Sequence, residues 1–227
     1  YCFNNNLSKI YDHDWNKEIF QRMIDEKIDL SWWCTTRSHC LDEELLKLMK
    51  KAGCHTVGVG FESADDQVLK NINKGLRLDF IKNAVNMTRE ADIDILLFCV
   101  VGFLGETKES MYETIEFLKT LNASFITLGI AVPAPGTGFY HQMKEKGYLL
   151  HSKWDLYDPL KLPVYNYPDL SAEEIYDAAA YGLRKFYLRP SYIYDRIKSV
   201  ENPAQFFRYV KNFGGFLKRY IRPKAAP

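Results

Sequence analysis

Residues 32–63, WWCTTRSHCLDEELLKLMKKAGCHTVGVGFES, decide the fold of this 227-residue chain. The stretch opens and closes on runs of aromatic, β-branched and small apolar residues of strand length, Trp32 to Thr35 and His55 to Phe61. Between them Asp42, Glu43 and Glu44 start a helical pattern, Lys47, Lys50 and Lys51 follow toward its end, and Gly53 stops it. That order of charge complements the helix dipole. Leu45, Leu46, Met49 and Ala52 recur at helical spacing as the stripe to be buried. Strands that are apolar nearly throughout, joined by a helix, belong to a parallel sheet covered by its own crossovers.

The same alternation extends in both directions. Strand candidates are Asp29 to Thr35, His55 to Phe61, Asp94 to Val101 and Phe125 to Ala131, preceded by a stub at Tyr1 to Phe3. Further helices are expected at Asp14 to Glu26, Leu78 to Ala91, Lys108 to Leu121 and Phe139 to Lys146. The class is therefore α/β. Periodicity does not separate a barrel from an open sheet, but both place their binding site in the loops after the carboxyl ends of the strands. From Ser171 the pattern turns helical, with Ser171 and Glu174 at capping-box spacing. The last segment sets Phe206, Tyr209, Val210, Phe213, Phe216, Leu217 and Tyr220 on one face, and Gly214-Gly215 is expected to weaken its continuity.

Hydrophobic residues at 47% and charged residues at 26% fit an ordinary globular protein and exclude a disordered or fibrous one. A net charge of +1 argues against nucleic-acid binding over the whole surface. The charge is unevenly placed. No acidic residue follows Glu201, whereas Arg208, Lys211, Lys218, Arg219, Arg222 and Lys224 do. The apolar run from Ile95 to Gly105 is too short for a membrane span, which needs roughly 18 residues. Cys2, Cys34, Cys40, Cys54 and Cys99 match no zinc or haem spacing, so free thiols in a reducing cytoplasm are expected. The chain opens at Tyr1 without a methionine or a signal peptide, which leads us to expect a piece of a longer protein.

Reading only the strand ends gives Phe3-Asn4-Asn5-Asn6, Thr35-Thr36-Arg37, Glu62-Ser63, Gly102 to Thr107 and Pro133 to Thr137. Amides, a guanidinium, two carboxylates, hydroxyls and flexible backbone converge there, a set able to hold a polar, charged small molecule. Each residue also has a plainer use. Glu62 can cap a helix starting near Ala64 or pair with Arg37, Gly102 and Gly105 can serve turn geometry alone, and Pro133, Pro135 and Gly136 can merely punctuate a loop. Two carboxylates at one mouth also admit a hydrolase. No HExxH, GxSxG, GxGxxG or P-loop supports one.

Taken together, residues 32–75, VVGFLGET at 100–107 and VPAPGT at 132–137 resemble the radical S-adenosylmethionine enzymes. The similarity is to the branch that carries an N-terminal cobalamin-binding domain and includes the magnesium-protoporphyrin monomethyl ester oxidative cyclases. LRKFYLRPSYI at 183–193 resembles the helical extension that follows the barrel in that branch. The resemblance implies a parallel-sheet partial TIM-type (βα)6 barrel over residues 1–150, lacking its first βα unit, and a C-terminal helical extension over 151–227. It implies a 4Fe-4S cluster that reduces S-adenosylmethionine to methionine and a 5′-deoxyadenosyl radical, which takes hydrogen from a small organic substrate. An electron donor is implied for the cluster, and cobalamin as a further cofactor through an upstream domain.

Carried over by position, Glu62 and Ser63 meet the ribose hydroxyls, Gly102 to Glu106 pass close to adenine, and Val132 to Thr137, with Pro135, lie near it as well. Arg37 faces the methionine carboxylate. The family usually has proline where Leu104 stands, and acidic residues where Asn5 and Asn6 stand, near the methionine ammonium. Its CxxxCxxC cluster loop is absent from this sequence, so the isolated chain is expected to be inactive. A barrel remnant that only binds, without catalysis, is the competing expectation. The basic aromatic tail raises one more, a cytoplasmic protein in peripheral contact with a membrane through its last helix.

Overall fold

The computed structural model describes residues 2–3, 13–72, 75–151, 153–200 and 203–220. Five strands, β1 (Cys2–Phe3), β2 (Trp32–Thr36), β3 (Cys54–Glu62), β4 (Asp94–Val101) and β5 (Phe125–Ile130), form one sheet. Their order in the sheet is their order in sequence, and every neighbouring pair is parallel. A doubly wound sheet reverses its strand order at a switch point, whereas a barrel wall does not. The pairing order thus resolves what periodicity left open, in favour of a partial TIM-type barrel.

The crossovers are α1 (His13–Asp25), α2 (Glu43–Lys51), α3 (Asp66–Asn71) with α4 (Leu78–Glu90), and α5 (Lys108–Thr120), and α6 (Gly138–Glu145) follows β5. Their ends are set locally. Asp42 caps α2 by accepting from the Leu45 amide at 2.8 Å, and Thr107 and Ser110 cap α5 reciprocally. Asp65 caps α3 by accepting from the Gln67 and Val68 amides. The alternative role of Glu62 as the cap of that helix is therefore excluded.

On β4 the side chains Ile95, Leu97, Cys99 and Val101 are buried while Leu96, Phe98 and Val100 are only half-buried. The first set joins Ile81 and Ala84 of α4 and Ile115 and Leu118 of α5 in the core. The sequence, apolar on both faces, predicts strands covered on both sides, but one face stays partly open. On that face Phe98 lies across β3, where a Cβ on Gly58 would come within 2.7 Å of its ring.

The core does not stop at residue 150. α7 (Ala172–Tyr187) packs on β5 and α5, and Tyr165, Ile175, Ala178, Leu183 and Phe186 belong to the same hydrophobic cluster as Leu128 and Ile115. A Cβ on Gly182 would sit 2.5 Å from Leu128, so only glycine permits this approach of α7 to the sheet. The expected capping box is present, with Ser171 Oγ accepting from the Glu174 amide and Glu174 Oε2 from the Ser171 amide. α8 (Pro190–Lys198) and α9 (Pro203–Tyr220) follow. Contrary to expectation, α9 runs unbroken through Gly214-Gly215. No helix among the described residues is long and apolar enough to cross a membrane.

Candidate functional site

The end of β3 is bent by a bulge. Gly60 pairs with Phe98 and Glu62 with the next residue, Cys99, which leaves Phe61 as the extra one. Immediately afterwards the Ser63 amide donates back to the Phe61 carbonyl at 3.0 Å, closing a γ-turn around Glu62, whose φ is 64°. Such a turn with positive φ is rare and strained, and for a residue with a Cβ the left-handed region costs about 1–2 kcal/mol. The result separates neighbours: Phe61 is buried and stacked on Phe117, whereas Glu62 is half-exposed. Glu62 still lies near the sheet, since its charge adds to burial in raising the Cys99 thiol.

Ser63 is turned inward. Its hydroxyl lies 3.2 Å from Thr114 Oγ1 on α5 and accepts from the Asp65 amide at 3.1 Å, while the Ala64 amide donates to Thr114 Oγ1 at 3.0 Å. These bonds moor the strained turn to α5 from below.

The loop after β4 is held from both sides. Gly102 has φ 86°, its amide donates to Glu106 Oε2 at 2.6 Å, and the Phe103 amide donates to the same oxygen at 3.1 Å. Its carbonyl accepts from the Tyr165 and Tyr167 hydroxyls, each at 2.8 Å, and Tyr165 Oη is also 2.9 Å from the Ala131 carbonyl beyond β5. A Cβ on Gly102 would lie 2.6 Å from Tyr165 Oη. Glu106 itself is only 5% exposed, and its other oxygen, Oε1, is buried without a partner. Burial pushes this carboxyl up to about 7, against the two amides, which pull it down.

After β5 the Ala134 amide donates to the Val132 carbonyl at 2.8 Å, and the Thr137 amide and hydroxyl both donate to the Ala134 carbonyl. Thr137 also caps α6 by accepting from the Tyr140 amide. Pro133 is buried by this folding, and Pro135 and Gly136 are left exposed at the tip. After β2, Arg37 is exposed at the start of a short 3₁₀ turn, Ser38–Cys40.

The fold thus brings Arg37, Glu62, Gly102 and Pro135 to the same end of four adjacent parallel strands, while Ser63 and Glu106 support the loops from within. Asn5 and Asn6 lie outside the described residues. Sequence reading missed Tyr165 and Tyr167, which brace Gly102 from more than 60 positions away. Their alternate spacing in VYNY was the available signal. Among the described residues no three His, Cys, Asp or Glu side chains are grouped as a metal site, and Cys34, Cys54 and Cys99 are buried and outside any disulfide.

An uncharacterized methyltransferase of Pyrococcus horikoshii is 32% identical over 205 residues, covering 90% of this chain and 42% of that protein. The anaerobic magnesium-protoporphyrin IX monomethyl ester cyclase of Cereibacter sphaeroides is 26% identical over 208 residues, 90% of this chain and 31% of that protein. The chain spans less than half the length of either relative. Among solved structures, coproporphyrinogen III oxidase of Escherichia coli, described as a radical SAM enzyme, superposes with a TM-score of 0.54 at 16% identity, over 76% of this chain and 37% of that one. That likeness concerns the fold. Residues 11–118 match the Radical SAM superfamily, and the sequential parallel sheet is in keeping with that match.

Proposed function

We propose that the loops after β2 to β5 bind S-adenosylmethionine, and that the whole protein is a radical S-adenosylmethionine enzyme acting on a small organic substrate. The observation that carries the reading is Glu62, held in a strained turn at a bulged strand end where glycine would be free of the cost. Strain of this kind persists where the surroundings enforce it, and it clusters at ligand sites. A carboxylate in this place accepts from both hydroxyls of a ribose. The braced, side-chain-free Gly102 admits close approach of a flat ring, with the Pro135 loop beside it, and the Arg37 fork suits the amino-acid carboxylate. Ser63 and Glu106 act here as supports.

S-adenosylmethionine, once bound and reduced by one electron, supplies hydrogen-abstracting chemistry. The described residues offer no ligand set for the 4Fe-4S cluster that delivers the electron, so their part is to bind and orient. An external electron donor, cobalamin held by another domain, and a cytoplasmic setting complete the proposal and rest on the resemblance to that branch. Calorimetric titration with S-adenosylmethionine tests the binding reading. Glu62→Ala should weaken affinity about tenfold or more, the worth of a charge-assisted hydrogen bond, and an unchanged affinity refutes the assignment. Anaerobic reconstitution of the full-length protein, followed for 5′-deoxyadenosine, separates catalysis from binding alone.

The tail adds a partner to this proposal. Phe206, Phe207, Val210 and Phe213 of α9 are exposed, Phe207 by 70%, in the segment where every charged residue after Glu201 is basic. Such a face suits an anionic lipid surface. Flotation with anionic vesicles, lost at high salt, is the expected result, and no flotation at low salt rejects it.

A further inference from the structure

At the opposite, amino-terminal end of the strands, roughly 20 Å from the loops above by the rise of a six-residue strand, a cavity of about 290 Å³ opens between α5 and α8. Four cations line it: Arg89 from α4, Lys119 from α5, Arg189 at the N-cap of α8 and Arg196 in its last turn. The carboxylates facing them are fewer. Asp195 lines the cavity, Asp94 stands 3.7 Å from Arg196, and Glu116 pairs with Lys119. Arg89 and Arg189 have carbonyl partners instead. Arg89 Nη1 donates to Asn122, and Arg189 donates through Nε to Phe186 and through Nη1 to Lys119. Each of these guanidiniums keeps further N–H groups, of the five it carries, for another acceptor.

Two more features border the same space. The Arg196 side chain is only 19% exposed, stacked between Phe125 and Tyr192, and its Nε is buried without a hydrogen-bond acceptor. A buried donor left unpaired is costly, and a charged one more so. The start of α8 is open as well: Arg189 provides no side-chain cap, Pro190 has no amide hydrogen, and Ser191 and Tyr192, whose amides come next, line the cavity. Helix starts of this kind favour anions. Burial also lowers the Arg189 pKa, against Tyr192 and Asp195, which raise it.

We propose that this cavity is a phosphate site, and that its ligand is a small phosphate monoester. Planar guanidinium forks match phosphate oxygens, the volume leaves room for a short organic group beyond the phosphate, and Leu121, Ala123 and the Tyr192 ring give that group an apolar wall. The site is separate from the strand-end loops and does not depend on what they bind.

The test uses the full-length protein at constant ionic strength, titrated calorimetrically with inorganic phosphate and with glycerol 3-phosphate. Saturable one-to-one binding is expected, tighter for the ester. Arg196→Met should abolish it, but it also removes two ring contacts. Ser191→Asp is the cleaner variant, because an acidic residue in the first turn favours α8 itself while repelling the ligand. It should melt no lower than the parent and bind phosphate about tenfold more weakly or worse. Equal binding by Ser191→Asp and the parent, no saturation at millimolar ligand, or an ester that binds no tighter than phosphate overturns the proposal.

Discussion

Glu62 is one of three residues other than glycine with positive φ among the described residues, and the other two, Lys27 and Asp92, stand just past the ends of α1 and α4. A left-handed residue is routine after a helix and unusual at the end of a strand. Glu62→Gly should therefore raise unfolding free energy by about 1 kcal/mol while weakening S-adenosylmethionine binding. Denaturant melts and calorimetry on one variant read both, and a loss of stability would show that the turn is not strained. Glu106 gives a second prediction, of opposite kind. Its folded pKa, about 7, lies above the ordinary 4.5, so the folded state holds a proton that the unfolded chain releases. The stability this contributes is complete below about pH 4.5 and is lost as pH rises through about 7. Glu106→Gln should flatten that part of the stability profile and be the more stable form above pH 7. A profile with the same slope as the parent would refute the raised pKa.

The end of β4 works as an element because residues from three places meet there. Gly102→Ala would force a Cβ to within 2.6 Å of Tyr165 Oη at a φ of 86°, and a loss of about 1–3 kcal/mol is expected. Tyr165→Phe removes a donor from the Gly102 and Ala131 carbonyls and should cost about 1–2 kcal/mol. It also removes the clashing oxygen, so the double variant should lose clearly less than the sum of the two. Additive losses would mean that Tyr165 does not brace the loop. The helices on either side were legible in advance, because Asp42, Thr107 and Ser171 bond within three residues of themselves. Tyr165 and Tyr167 were not, since nothing in a local pattern says that a hydroxyl 63 or 65 positions downstream will find Gly102.

Across the whole molecule the sheet and the segment after residue 150 share one core. Removing residues 151–227 would uncover Leu128 and Ile115, which pack against Gly182, and bare the β5 edge at Ile130, whose amide donates to the Pro159 carbonyl. Each large apolar side chain exposed costs about 1.5–3 kcal/mol, against a typical net stability of 5–15 kcal/mol. The truncated chain is expected to lose its cooperative melt by circular dichroism. If it kept a sharp transition near that of the parent, residues 1–150 would be an independent domain after all.

Strand-helix alternation, the helix ends and the carboxyl-end loops that converge were written in the sequence, because apolar periodicity and capping act over a few residues and need no distant partner. What only the tertiary structure decided is barrel order over open sheet, the half-open face of β4, the forced turn at Glu62, the inward carboxylate of Glu106, and the cations gathered beneath β5. Each of these depends on contacts between segments far apart in the chain, and such contacts exist only once close packing has chosen which surfaces meet.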